Sequence, residues 1–98
     1  DDEDDVSFNN DFSNENDEKE MEIKIEQKNI VIKLLNVLDE RERDVIESYY
    51  GINDKKELTL TDIGTKYNLS SEKVRQIKKK GLMKLRTKML LLNYSDYL

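Results

Sequence analysis

Glu72, Arg75 and Gln76 stand three and four residues apart, a spacing that gathers all three on one helix face, with Ser71 at its edge and Lys79 and Lys80 following. A carboxylate, a guanidinium and an amide on one face are groups that meet base edges in a major groove, while lysines beside them meet phosphates. Between Ser71 and Lys88 the chain carries eight Lys or Arg and one acid. On charge alone, a solvated face explains such a run as well as a binding surface does. The mixture of Glu, Arg and Gln at the leading end favours the surface. Catalytic chemistry is poorly supplied by comparison. The chain has no Cys and no His, which excludes a Cys/His zinc site and Cys-His or Ser-His catalysis. Asp39, Glu40 and Glu42 crowd a solvent-facing helix start with no pocket behind them. No enzyme, cofactor or metal is expected.

The elements needed to position that face are written locally. Thr59 and Asp62 have capping-box spacing, and Leu60, Ile63, Gly64 and Tyr67 recur at helical period, predicting a short helix. Asn68 enters the left-handed region cheaply and ends it, Leu69 turns inward, and Ser70 caps the next helix. That second helix turns Val74, Ile77, Gly81, Leu82, Leu85 and Met89 inward and leaves Met83 outward or flanking. The pair is the sequence form of a helix-turn-helix. Ahead of it, Asp39 with Glu42 opens a helix whose stripe is Val45, Ile46, Tyr49 and Tyr50, stopped by Gly51. A first helix is expected from between Ile23 and Glu26 to Leu38, with Ile30, Leu34 and Leu38 in line and Val31 and Leu35 beside them. Gly81 within the last helix marks the close approach of another helix, the second or third. The last helix continues through Met89 and Leu92, followed by an apolar end with Tyr94, Tyr97 and Leu98.

The expected fold is therefore all-α, a small four-helix domain over 23–98 containing a helix-turn-helix, preceded by a disordered acidic arm over 1–22. Ninety-eight residues with 36% hydrophobic and 40% charged content bury only a small core. The formal net charge of -5 divides unevenly: residues 1–22 hold eleven acids and one Lys, a net of -10, and the rest hold eleven acids and sixteen Lys or Arg, a net of +5. A basic domain with an acidic arm suits a polyanionic partner, since the local field is what the partner meets. The arm carries Val6, Phe8, Phe12 and Met21 as its apolar residues, too few to order it alone. It reads either as a solubilising linker or as an acidic segment that competes for the basic surface. The acidic start without Met suits a piece cut from a longer chain. The longest apolar run, Met89 to Leu92, is far too short for a membrane span, and the working expectation is a cytoplasmic, nucleoid-associated protein with no membrane partner.

From Leu35 to Arg86, the segments LDERERDVIESYYG and LTLTDIGTKYNLSSEKVRQIKKKGLMKLR resemble region 4 of the primary-type, sigma-70 family of bacterial RNA polymerase sigma factors, and the acidic DDEDD stretch resembles the linker between regions 3 and 4. The order of these features is far more specific than a bare helix-turn-helix. The resemblance implies a domain that binds double-stranded promoter DNA at the minus thirty-five element and holds the β flap of the RNA polymerase core with its first helices. By position, Glu72 would accept from a cytosine amino group, Arg75 would donate to guanine, and Gln76 and Ser71 would complete the base-reading set. Ser71 stands where the family usually has Arg, which implies weaker or altered base preference. Thr59, Thr61, Lys73, Lys79, Lys80, Arg41 and Arg43 are the candidate phosphate contacts, with capping alone an ordinary role for Thr59 and salt bridges to Asp44 or Glu47 an equal one for Arg41 and Arg43. Leu34, Leu38 and Ile46 are expected in a groove for the flap helix. An anti-sigma factor, an activator or a co-regulator are further partners, the last suggested by the greasy chain end. An obligate homo-oligomer is not expected. Two other readings remain: a LuxR-like autonomous regulator that dimerises on a palindrome, and an interaction module whose basic helix binds an acidic protein.

Overall fold

The computed structural model describes residues 15–26 and 34–91. Among these the elements are α1 (Glu15–Glu26), a 3-10 turn (Leu35–Val37), α2 (Glu40–Tyr50), α3 (Leu60–Tyr67) and α4 (Ser71–Leu91), with no strand. The all-α class and the helix-turn-helix expected from sequence hold, and the devices that start and stop the helices are local. Asp39 Oδ1 accepts from Glu42 N at 2.7 Å, and Glu42 Oε1 accepts from Asp39 N at 3.1 Å, which satisfies two of the free amides at the α2 start. Gly51 closes α2 at φ 63°, and Leu58 N donates to Ser48 O at 2.8 Å to bring the 52–58 loop back along the helix. Thr59 and Asp62 repeat the capping box on α3, and Asn68 ends it at φ 59°. Ser70 Oγ then accepts from Lys73 N at 3.0 Å at the start of α4.

Two apolar clusters share α4 as their common wall. Val45, Ile63 and Val74 form the smaller, at the helix-turn-helix end, with Tyr49, Leu58, Leu60, Tyr67, Leu69 and Ile77 around them. The larger gathers Leu34, Leu35, Leu38, Ile46, Ile52, Leu82, Leu85 and Met89 with Met21 and Ile25 of α1. Gly64 is where α3 meets the turn: a Cβ there would lie 2.4 Å from Leu69 O, closer than any side chain allows. At Gly81 a Cβ would meet Ile46 Cγ1 at 3.2 Å, so the helix that approaches is α2, one of the two expected.

Three features differ from the sequence expectation. α1 spans Glu15–Glu26 and so runs across the boundary drawn between 22 and 23. The acidic segment cannot order itself alone, but Met21 and Ile25, four residues apart, bury against the rest of the domain, and two of its acids, Asp17 and Glu22, pair with α4. The expected first helix to Leu38 is replaced at its end by the 3-10 turn, which still buries Leu34, Leu35 and Leu38; Ile30 and Val31 lie outside the described residues, as do Leu92 and the apolar chain end. Met83, expected outward or flanking, is buried, because α1 and α2 both pack against α4 and cover more of its circumference than one stripe.

Candidate nucleic-acid interface

The leading end of α4 is the exposed part of the helix. Ser71, Glu72, Lys73, Arg75 and Gln76 all face solvent, while Val74 between them is fully buried against the α3 side. One buried position per turn, pinned under α3, sets which face the others present. The three expected base readers are together. Arg75 Nε donates to Glu72 Oε1 at 3.0 Å and Nη2 to Oε2 at 2.7 Å, and Gln76 Nε2 donates to Glu72 Oε2 at 3.4 Å. The Arg75 hydrogen bonds hold the Glu72 carboxyl below its ordinary pKa and raise that of Arg75, so the pair stays ionised.

Thr59, Thr61 and Ser71 line one cleft of about 860 Å³ with Tyr49, Tyr50 and Leu60, which brings the start of α3 beside the start of α4. Thr59 Oγ1 accepts from Asp62 N at 3.1 Å and so works as a cap, leaving only its proton for any other partner. Thr61 is exposed. Lys79 and Lys80 are half-buried further along α4. Arg41 is exposed at the start of α2 with its guanidinium 5.1 Å from the centre of the Tyr67 ring, and Arg43 is half-buried. The two carboxylates expected to pair with these arginines take a lysine instead: Lys55 Nζ lies 2.6 Å from Asp44 and 3.6 Å from Glu47.

Asp44 is a structural junction that no local sequence signal marks. It accepts from Lys55 at 2.6 Å, Lys66 at 2.7 Å, Ser48 at 3.3 Å and the Tyr67 hydroxyl, tying α2 to the 52–58 loop and to α3. Burial alone would raise its pKa, but the hydrogen bonds from Lys55, Lys66 and Tyr67 outweigh it and hold the carboxyl well below the usual range. Tyr67, by burial and by its bond to this carboxylate, is pushed up to about 12.

The expected flap groove is not an open surface. Leu34, Leu38 and Ile46 are 3%, 5% and 0% exposed and belong to the larger cluster, where Met21 and Ile25 of α1 complete the burial. Polar contacts hold α1 there. Glu22 Oε2 accepts from Tyr50 Oη at 2.8 Å and from Lys78 Nζ at 3.0 Å, and Asp17 lies 3.5 Å from Arg86. Lys78, one of the cations of the basic run, is itself buried, with its ammonium 4.7 Å from the Tyr49 ring centre and 5.9 Å from that of Tyr50. On α2, Glu42 accepts from Lys84 at 2.9 Å with the same oxygen that closes the capping box.

Residues 34–87 match the family model described as Sigma-70, region 4. The chain is 37% identical over 68 residues to RNA polymerase sigma factor SigA of Clostridium acetobutylicum, covering 69% of this chain and 18% of the relative. It is 46% identical over 54 residues to RNA polymerase sigma factor SigA of a Nostoc species, covering 55% and 14%. Over 53 residues it is 42% identical to RNA polymerase principal sigma factor HrdD of Streptomyces griseus, covering 54% and 16%. The chain thus spans less than a fifth of the length of these relatives. No solved structure matches it.

Proposed function

The chain belongs to the sigma-70 region 4 family, and from that premise we propose that it is the part of an RNA polymerase sigma factor that reads the minus thirty-five promoter element. In this reading α4 enters the major groove by its N-terminal end, Arg75 donates to a guanine, Glu72 accepts from a cytosine amino group, and Gln76 and Ser71 sit at the edges of the site. The observation that carries it is the selective exposure of Ser71, Glu72, Arg75 and Gln76 on a helix whose intervening Val74 is fully buried. That is the geometry of a recognition helix propped from behind. Thr61 beside the start of α4, with Lys73, Lys79 and Lys80 on its flanks, supplies phosphate contacts that fix the register, with Arg41 as an outlying one. Ser71 is a short donor and acceptor in place of a long cation, so discrimination at its base pair is weak.

The polymerase side of the reading assigns Leu34, Leu38 and Ile46, with the surface they share with Leu85 and Met89, to the β-flap helix of the core enzyme. Because α1 covers those residues here, binding there requires α1 to move.

Duplex binding tests the DNA reading. A fluorescent promoter duplex bearing a minus thirty-five element should bind more tightly than a scrambled one, and the logarithm of its affinity should fall linearly with the logarithm of salt concentration. Equal affinity for both sequences would remove the base-reading role. Dimerisation on a palindrome would instead indicate an autonomous regulator.

A further inference from the structure

We infer that the surface beneath α1 is a receptor for an acidic amphipathic helix, and that α1 is its resident occupant, competing with whatever partner helix the domain takes. Three observations meet at this place. α1 contributes only Met21 and Ile25 to the apolar cluster, four residues apart, while Ile23 between them is 54% exposed. A single Glu22 oxygen accepts both the Tyr50 hydroxyl and the Lys78 ammonium. Charge is matched across the contact: α1 has six acids and two lysines, facing the basic α4. Asp17 pairs with Arg86 and Glu22 with Lys78, so α1 runs antiparallel to α4.

The contact is built to be exchanged. A helix of about 12 residues is marginal alone in water, so α1 persists only while docked. The smaller cluster of Val45, Ile63 and Val74 contains nothing from α1, and departure of α1 leaves the helix-turn-helix core in place. What departure exposes is specific. Lys78, 8% exposed in its side chain while α1 is docked, would be uncovered beside the Tyr49 and Tyr50 rings without its anion, a cation that a carboxylate on an incoming helix complements. The chemistry demanded of an incoming helix is therefore that of α1 itself: two apolar residues at i and i+4, with a carboxylate directly after the first. The surface is the one assigned above to the flap, so the identity of the competitor, though not the receptor, rests on that reading.

The test uses the full chain and, as probe, a fluorescent synthetic peptide of residues 15–26. Glu22→Lys sets a cation against Lys78 and should undock α1, raising affinity for the peptide at least fivefold over the unaltered chain. Asp17→Cys with Arg86→Cys, in a chain that has no other cysteine, allows a short bismaleimide bridge that fixes α1 in place with all its core contacts. The bridged chain should bind the peptide at least fivefold more weakly than the unaltered chain. Equal binding by the unaltered and bridged chains, or no binding by any form, overturns the receptor, and this comparison stands even if Glu22→Lys fails to fold. A β-flap fragment that displaces bound peptide supports the flap as competitor. Peptide binding that the flap fragment leaves untouched keeps the receptor and removes the flap from it.

Discussion

Arg75 and Glu72, one helical turn apart, hold each other in a two-pronged ion pair at the tip of α4. Each supplies a group that a base edge could meet, so in the free domain the two proposed readers occupy one another. In the proposed function, recognition would exchange this pair for base contacts, and a wrong base would leave the exchange unrewarded. Arg75→Ala should cost about 1–3 kcal/mol on the preferred duplex and flatten base preference at one position. Fluorescence anisotropy on a panel of single-base variants checks it, and an equal loss across the panel would remove Arg75 as a reader.

Lys79→Ala should weaken every duplex alike and lower the slope of log affinity against log salt by about 1. A titration over several salt concentrations separates this from a reader's behaviour.

Thr59 and Thr61 separate capping from phosphate contact. Thr59→Ala removes the acceptor for Asp62 N and should cost about 0.5–2 kcal/mol of stability. Thr61→Ala, at an exposed site, should leave the urea midpoint nearly unchanged and reduce duplex affinity. Matching losses of stability in both would remove the phosphate role of Thr61.

Asp44 makes the fold sensitive to acid. Its folded pKa is depressed, so the stabilisation it gives is complete above the unfolded carboxylate pKa, about 3.9, and drains away as pH falls through that value toward the folded one. Unfolding free energy should drop from about pH 5 downward, with a shallower slope in Asp44→Asn. That variant should also cost about 1–3 kcal/mol at neutral pH, because the amide keeps one acceptor oxygen for Lys55, Lys66 and Tyr67 and loses the charge that all three share. Denaturant melts at a series of pH values measure both effects.

Two glycines should respond very differently. Gly64→Ala drives a methyl into the Leu69 carbonyl and should cost about 1–3 kcal/mol or more. Gly81→Ala presses on Ile46 Cγ1 at 3.2 Å but gains up to about 1 kcal/mol of helix propensity, so its net effect should be much smaller. Thermal unfolding of the two variants side by side checks the contrast.

What is legible in the sequence lies within one or two helical turns. The two capping boxes, the left-handed Gly51 and Asn68, and the approach of another helix at Gly81 are signals of spacing three to five or of a single residue type, though the sequence does not choose which of two helices approaches Gly81. Lys78 with Glu22 is separated by 56 residues and Tyr67 with Asp44 by 23, distances at which no periodicity carries information. α1 is hidden for a related reason. Its charge opposes folding alone, and burial of Met21 and Ile25 together with ion pairs to a helix far along the chain tips that balance. Leu34, Leu38 and Ile46 are legible as apolar residues wanting cover, but what covers them in the structure comes from the segment whose composition is least able to fold by itself. The candidate readers are legible one by one. Their mutual ion pair also has local spacing, yet the same spacing fits two groups that each await a base, so sequence does not choose between the two states.

α4 reaches from the small cluster at Val74 to the large one at Leu85 and Met89 without interruption. A continuous helix packed into both clusters ties them together, so a variant that shifts α4 near Met89 would be expected to act on both. Under the proposed function, the face that meets bases and the face that docks a partner helix would then share one element, and the two could not be redesigned independently.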